Sequence, residues 1–295
     1  MLHAIDRAHL RAVAATGEMN PMTASDGAED FLRAFHRDRP GCTSAAIARG
    51  RGEHGHSSYA SLAALVPSGV RVLDLGCGDG YLLATIRARD PGARLVGLDL
   101  SADELAAARA RAIPGAALVQ GRADALPFVD GAFDGCVSHL AYMLMPEPAA
   151  LATAIARVLA PGGVFAIVTG GGPLATEDAF SWYLDALRDT PGRAEVPRLG
   201  DRRTRDPVTL EAMWRAAGFE AFTWRRDVLD LGGTPDEVWA SMATSYEIAS
   251  ASGAQVAEIR ARFDAAVAAR VAPGARVPCA MVVGIASARR AALTR

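Results

Sequence analysis

The amino-acid sequence predicts an α/β protein built on a mainly parallel sheet. Short apolar runs alternate with helix-length segments between residues 57 and 170, and several of these runs end in glycine or aspartate. A short run that is apolar throughout suits a strand buried on both faces of a parallel sheet. Because alternating strands and helices build such sheets, we expect five strands before residue 170 and further helices after it.

The predicted elements follow one another in a regular order. A helix over 57–66 precedes the first strand, and helices over 81–89, 102–112 and 148–159 separate later strands. The predicted strands cover residues 70–75, 94–100, 117–120, 133–138 and 164–169.

The second half of the chain is predicted to add helices and two returning strands. Apolar residues at helical spacing predict a helix over 176–189. Asp206-Pro207 and Thr234-Pro235 begin two more helices, because each supplies a capping side chain followed by proline at the first helical position. The later elements are a helix over 254–271 and strands near 220–230 and 278–287.

The composition is that of a globular protein without a large charged surface. Its 295 residues carry 31 Lys and Arg against 33 Asp and Glu, and 51% are hydrophobic. The sequence has no clustered Lys/Arg tract, so the positive field that provides most non-specific nucleic-acid affinity is missing. We therefore expect no nucleic-acid partner.

Cysteine usage and hydropathy indicate a cytoplasmic protein. The four cysteines are scattered and form no C-x-x-C pair, which indicates neither a disulfide framework nor a cysteine-type zinc site. No apolar run approaches the roughly 20 residues that span a bilayer. Charged residues between Asp6 and Arg11 interrupt the apolar core that a signal peptide needs. We expect no membrane association and no bound metal.

The strongest functional signal is a glycine-rich turn, Asp74-Leu75-Gly76-Cys77-Gly78-Asp79-Gly80, between a strand and a helix. Glycines let the backbone approach a ligand closely. A dinucleotide-binding turn requires G-x-G-x-x-G, but Tyr81 stands where the third glycine belongs. Asp74 would repel a pyrophosphate and suits a cofactor that carries an ammonium or sulfonium group. The turn thus disfavours NAD.

These residues resemble the class I S-adenosylmethionine-dependent methyltransferases, whose first motif is an acid, a hydrophobic residue and G-x-G-x-G. The resemblance extends from about Ser57 to Thr169. In this family, the acid at the position of Asp99 binds the ribose hydroxyls, and the acid at the position of Asp124 accepts from the adenine amino group. The resemblance implies a Rossmann-like, seven-stranded sheet whose last strand is antiparallel, with S-adenosylmethionine as cofactor.

The matched motifs provide a set of candidate site residues. The predicted cofactor-binding residues are Tyr59, Asp74, Gly76, Cys77, Gly78, Gly80, Asp99, Leu100, Asp124, Ala125 and Ser138. His139 follows the fourth strand, where open α/β sheets bind ligands, and is the candidate general base. Its alternative role is to pack against the cofactor. Tyr142, Met143, Trp182 and Tyr246 are candidate substrate-binding residues, with core packing as their alternative role.

We predict methyl transfer from S-adenosylmethionine to an O, N or C atom of a small molecule, as in tailoring enzymes of secondary metabolism. The alternatives are an NAD(P)-dependent oxidoreductase, and a non-methylating or catalytically silent protein on the same cofactor fold. Arg202-Arg203-Thr204-Arg205 either holds a substrate carboxylate or phosphate or forms a solvated loop.

The chain divides into four predicted parts. The first is an N-terminal extension, 1–56, that is partly flexible, and the second is an S-adenosylmethionine-binding core, 57–172. An inserted lid or cap helix follows at 173–206. Residues 207–295 complete the sheet and cover the acceptor pocket.

Overall fold

The computed structural model describes residues 24–174 and 177–292. Its seven strands are β1 (Arg71–Leu75), β2 (Arg94–Asp99), β3 (Ala117–Gln120), β4 (Phe133–His139), β5 (Leu159–Pro173), β6 (Phe219–Asp230) and β7 (Ala280–Arg290). They form one sheet in the order β3-β2-β1-β4-β5-β7-β6.

The sheet is parallel except for β7. Strand β1 pairs in parallel with β2 and β4, whereas β7 pairs antiparallel with both β5 and β6. The α/β fold class, the five early strands and the antiparallel last strand are thereby confirmed. In space β7 lies between β5 and β6, so the antiparallel strand is not at the edge of the sheet.

Helices cover both faces of this sheet. The described helices are α1 (Ala24–Asp38), α2 (Cys42–Ile47), α3 (Ser58–Ala63), α4 (Tyr81–Arg89), α5 (Ala102–Ala110), α6 (Pro148–Val158), α7 (Ala179–Arg188), α8 (Pro207–Ala216), α9 (Pro235–Met242), α10 (Tyr246–Ala249) and α11 (Gly253–Arg270). Two apolar cores result, one on each face. Val72 of β1 belongs to one core and the adjacent Leu73 to the other.

Capping residues determine where the later helices begin. Thr234 accepts from the Glu237 N–H while the Glu237 carboxylate accepts from the Thr234 N–H, which is the predicted capping box at α9. Asp178 caps α7, and its other carboxylate oxygen accepts from the Ala280 N–H at 2.7 Å. Asp178 thus connects the start of α7 to the start of β7.

Two later elements differ from their predicted bounds. Helix α9 ends at Met242, before the predicted end near Tyr246, and the short helix α10 begins where Ser245 accepts from the Ile248 N–H. The predicted start of the inserted helix, Thr176, lies outside the described residues.

The predicted extension and lid both have ordered parts. Within 1–56, the described residues form α1 and α2, whereas residues 1–23 lie outside the described part of the chain. Within 173–206, α7 packs against α11. The division into four parts stays a prediction. Among the described residues, no helix is both long and apolar enough to cross a membrane.

Candidate functional site

A cavity of about 1250 Å³ opens at the carboxyl ends of the parallel strands. Its walls include the ends of β1, β2, β4 and β5, together with residues from α1 and α2. Pockets for one small ligand usually measure about 300–1,000 Å³. The cavity is therefore large enough for a cofactor and a second molecule. Nine predicted site residues line it: Tyr59, Asp74, Gly76, Cys77, Gly78, Asp99, His139, Met143 and Tyr246.

The glycine-rich turn requires glycine for two separate reasons. Gly76, Gly78 and Gly80 have φ values of 72°, 51° and 77°, in the left-handed region that other L-residues rarely adopt. A Cβ at Gly76 would also lie 2.5 Å from the Cβ of Ala141, in the segment after β4. Gly76 therefore allows the turns after β1 and β4 to meet at the cavity.

Asp74 is a buried carboxylate near the end of β1. Its side chain is 1% exposed, and neither carboxylate oxygen has a hydrogen-bond donor among residues 24–174 and 177–292. Burial, with repulsion from Asp99 and Asp79, raises the pKa of Asp74 well above its usual range. A ligand that brings a cationic N–H group to Asp74 would relieve this cost, so the residue fits the ammonium group of S-adenosylmethionine.

Asp99 retains acceptor capacity toward the cavity. Its two carboxylate oxygens accept from the Gly78 N–H and the Ser101 N–H, each at 2.8 Å. Burial raises its pKa even though these two bonds act to lower it. An ionised carboxylate offers about four acceptor positions, so two remain for ligand hydroxyls.

Five of the predicted cofactor residues lie outside the cavity lining: Gly80, Leu100, Asp124, Ala125 and Ser138. Asp124 is exposed, and its oxygens accept from the Arg122 guanidinium at 3.0 and 2.9 Å. Arg122 also pairs with Glu29 of α1. Arg122 takes two of the roughly four acceptor positions of this carboxylate, and Asp124 does not line the cavity, so its adenine contact stays a prediction.

Ser138 has a structural role at the ends of β1 and β4. Its Oγ donates to the Leu75 carbonyl at 2.7 Å and accepts from the Tyr142 N–H at 3.0 Å. The hydroxyl thus joins the end of β1 to the turn that follows β4.

His139 lies in the cavity wall as a buried, neutral side chain. Its ring stacks on Tyr59, and its Nε2 lies 2.8 Å from the Ser58 Oγ. Nδ1 is buried and has no partner within the described part of the chain. Burial lowers the pKa of His139 to about 3. A side chain with this pKa is a weak proton acceptor, so the general-base role stays a prediction that the low basicity of His139 does not favour.

Tyr142 and Trp182 do not line the cavity, contrary to their predicted substrate-binding role. The Tyr142 hydroxyl donates to the Pro148 carbonyl at 2.7 Å, and its ring packs against Phe165 and Trp214 in the core on one face of the sheet. Trp182 is buried in the other core. Both residues serve as packing groups, which was their alternative role.

The N-terminal helices contribute site residues that sequence reasoning missed. His36 of α1 donates to Glu104 at 2.7 Å, and Ser44 of α2 donates to Asp79 at 2.6 Å. Phe35, His36 and Ser44 all line the cavity. The sequence carries no direct signal for these contacts, because only the fold shows that Asp79 and Glu104 are buried and need partners.

Comparisons with known proteins agree with this geometry. Residues 73–167 match the family model described as a methyltransferase domain. The malonyl-acyl-carrier-protein O-methyltransferase of Methylococcus capsulatus is 32% identical over 170 residues, 57% of this chain and 58% of that protein. The fatty-acid O-methyltransferase of Mycolicibacterium smegmatis is 42% identical over 102 residues, 33% of this chain and 36% of that protein. The chain thus spans less than two thirds of the length of these curated relatives.

A solved structure extends the similarity of fold over most of the chain. The cyclase SpnF superposes with a TM-score of 0.56 and 20% identity, covering 94% of this chain and 100% of that one. The glycine-rich turn lies within the matched segment, and the strand order is that of the class I methyltransferase fold. Residues 73–167 therefore match a methyltransferase domain, within a chain that has this fold.

Proposed function

We propose that this chain transfers a methyl group from S-adenosylmethionine to a small molecule that binds beside the cofactor in the same cavity. The observation that carries the proposal is the carboxylate of Asp74, which has no donor among the described residues and lines a cavity of about 1250 Å³. The carboxylate suits a cationic cofactor, and the remaining volume suits a second, smaller ligand.

The chain's own residues hold the cofactor in this proposal. Asp74 accepts N–H bonds from the ammonium group, and Asp99 accepts from the ribose hydroxyls. Gly76 and Gly78 let the backbone come close to the ligand. When bound, S-adenosylmethionine supplies a methyl group on a positively charged sulfur, which is transferred by in-line displacement.

Alignment and exclusion of water are the main tasks left to the protein. Reactions of two bound molecules gain most from being held in the reactive orientation. Leu140 and Met143 form apolar parts of the cavity wall, and the Tyr59–His139 stack forms a rigid part. The Nδ1 of His139 provides one hydrogen-bonding position for a ligand.

The relatives support oxygen as the methylated atom. Two of them are named as O-methyltransferases, one of malonyl-acyl-carrier protein and one of fatty acids. A role in secondary metabolism and a cytoplasmic location stay predictions. The oxidoreductase alternative has no support from the family match, and the SpnF superposition concerns the fold alone.

Calorimetric titration with S-adenosylhomocysteine, NADH and NADPH tests the proposed cofactor. We expect only S-adenosylhomocysteine to bind. Asp99→Ala should weaken that binding by about 1–3 kcal/mol, because charge-assisted hydrogen bonds are lost. Asp103→Ala is the matched control, since Asp103 is exposed in the first turn of α5. Binding of a nicotinamide nucleotide instead would overturn the proposal.

A further inference from the structure

We propose that the acceptor is an amphipathic carboxylate, whose negative group is bound by Arg198, Arg202 and Arg205 and whose apolar body lies along the adjoining cavity wall. This inference rests on the proposed function, because it assigns the second ligand of the same cavity. The three arginines line the cavity and are exposed.

The position of Arg202 and Arg205 follows from the local backbone. Residues Arg202–Arg205 form a 3-10 helix, in which side chains three residues apart lie above one another. Arg202 and Arg205 therefore share one side of the turn, and both line the cavity. Arg203 is directed to Asp201 instead, with its guanidinium 2.6 Å from the carboxylate. Arg203 is not among the lining residues.

This turn is fixed in place, unlike a solvated loop. Thr204 is fully buried and donates to the Asp201 carbonyl at 2.6 Å. Gly200, just before the turn, lies so close to the segment after β4 that a Cβ there would be 1.9 Å from the Met143 carbonyl oxygen. The turn also packs against β5. The turn consequently lies against β5 and the segment after β4, and β4 is next to the cofactor strand β1 in the sheet.

Charge differs between two parts of the cavity wall. Acids dominate at the cofactor end, where Asp74 and Asp99 lie. In the adjoining part, Arg198, Arg202 and Arg205 form no ion pair with any described residue. Glu195 and Glu247 also line the cavity, which leaves three positive against two negative side chains outside the cofactor end. A cationic cofactor and an anionic acceptor match this arrangement.

Part of the cavity wall is apolar and contains three methionines. Met143, Met242 and Met281 line the cavity together with Leu140, Leu144, Phe180 and Leu184. Methionine side chains adapt to irregular apolar ligands. A small hydrophilic anion would leave this surface without contacts, whereas an acid with an alkyl or aromatic body would cover it.

The low basicity of His139 supports a carboxylate over an amine or alcohol as the acceptor. This histidine, which lies in the cavity wall, has a pKa of about 3 and is poorly suited to remove a proton. A carboxylate is already ionised at neutral pH and presents its oxygen without proton removal. An ammonium group would in addition be repelled by the three arginines.

Binding of four simple probes to the protein saturated with S-adenosylhomocysteine tests the inference. The probes share an unbranched eight-carbon skeleton and are octanoate, octyl phosphate, methyl octanoate and octylamine. We expect octanoate to bind more tightly than the ester and the amine. Tighter binding of octyl phosphate than of octanoate would mean that the site prefers a phosphate and would overturn the proposed carboxylate. Equal binding of octanoate and its methyl ester would overturn the anion site.

Single substitutions then test which arginines bind the negative group of the ligand. Arg202→Gln and Arg205→Gln should each weaken octanoate binding by roughly three- to tenfold, less than for a buried charged hydrogen bond, because both arginines are exposed. Arg203→Gln should leave it unchanged, because Arg203 is exposed and pairs with Asp201 outside the cavity. Equal effects of all three variants would contradict the inference. Affinity for S-adenosylhomocysteine, measured in parallel, reports separately on the proposed function.

Discussion

His139 stacks on Tyr59 with ring centroids 3.7 Å apart and 13° between the ring planes. Tyr59 belongs to α3 and His139 ends β4, so the stack joins the first helix of the core to the strand at the centre of the cavity. Its Nε2 lies 2.8 Å from the Ser58 Oγ, and burial lowers its pKa to about 3, so the imidazole is neutral at pH 7. Its environment favours a role in shape and positioning over proton transfer.

The neutral state of His139 predicts how stability depends on pH. Its pKa is lowered to about 3 in the folded chain, whereas an unfolded histidine titrates near 6.5. The unfolded chain therefore binds more protons below pH 6.5, and the folded state loses up to about 1.4 kcal/mol per pH unit as the pH falls toward 3. Chemical denaturation between pH 7 and pH 4 measures this slope.

His139→Gln should reduce this pH dependence, because the group that titrates on unfolding is removed. His56→Gln is the matched control, since His56 is exposed and lies outside the buried stack with Tyr59. If the two variants show the same slope as the unsubstituted protein, the buried neutral state of His139 is wrong.

Asp74 is predicted to weaken the fold while it strengthens cofactor binding. Its raised pKa means that the folded chain retains a proton that the unfolded chain releases near pH 3.8, so stability falls as the pH rises above that value. Asp74→Asn removes this titration with little change of shape. We expect the variant to unfold at a higher temperature at pH 7 without ligand.

The same Asp74→Asn variant should bind S-adenosylhomocysteine about tenfold more weakly or worse, because an amide does not attract an ammonium group as a carboxylate does. Thermal unfolding with and without S-adenosylhomocysteine shows both effects in one experiment. A variant that is both less stable and equally good at binding would mean that Asp74 serves the fold and does not contact the ligand.

The strands and the glycine-rich turn were predictable because their signals are local. The five early strands are short apolar runs, and Gly76, Gly78 and Gly80 directly indicate a turn with unusual backbone angles. The capping boxes are local as well, so the start of α9 was predicted correctly at Thr234-Pro235.

The parts of the site that were not predictable depend on contacts between distant segments. Tyr142 and Met143 are adjacent in sequence, but Tyr142 enters the core on one face of the sheet while Met143 lines the cavity. The Arg122–Glu29 pair and the contact of His36 with Glu104 likewise depend on where α1 packs. No periodicity in the sequence specifies such placements.

Gly76 provides a direct test of how the turns after β1 and β4 meet. In Gly76→Ala, the added Cβ would lie 2.5 Å from the Ala141 Cβ and the residue would retain a φ of 72°. Gly69→Ala is a matched control, because Gly69 has a φ of 74° and no atom within 4 Å of an added Cβ. Both variants lose about 1–2 kcal/mol to the left-handed conformation, but only Gly76→Ala adds the clash with the β4 segment.

We expect Gly76→Ala to be the less stable variant in denaturant titrations and to lose S-adenosylhomocysteine binding, while Gly69→Ala binds normally. Equal stability and equal binding of the two variants would show that the turns have room to separate, and that the close approach at Gly76 does not shape the cofactor site.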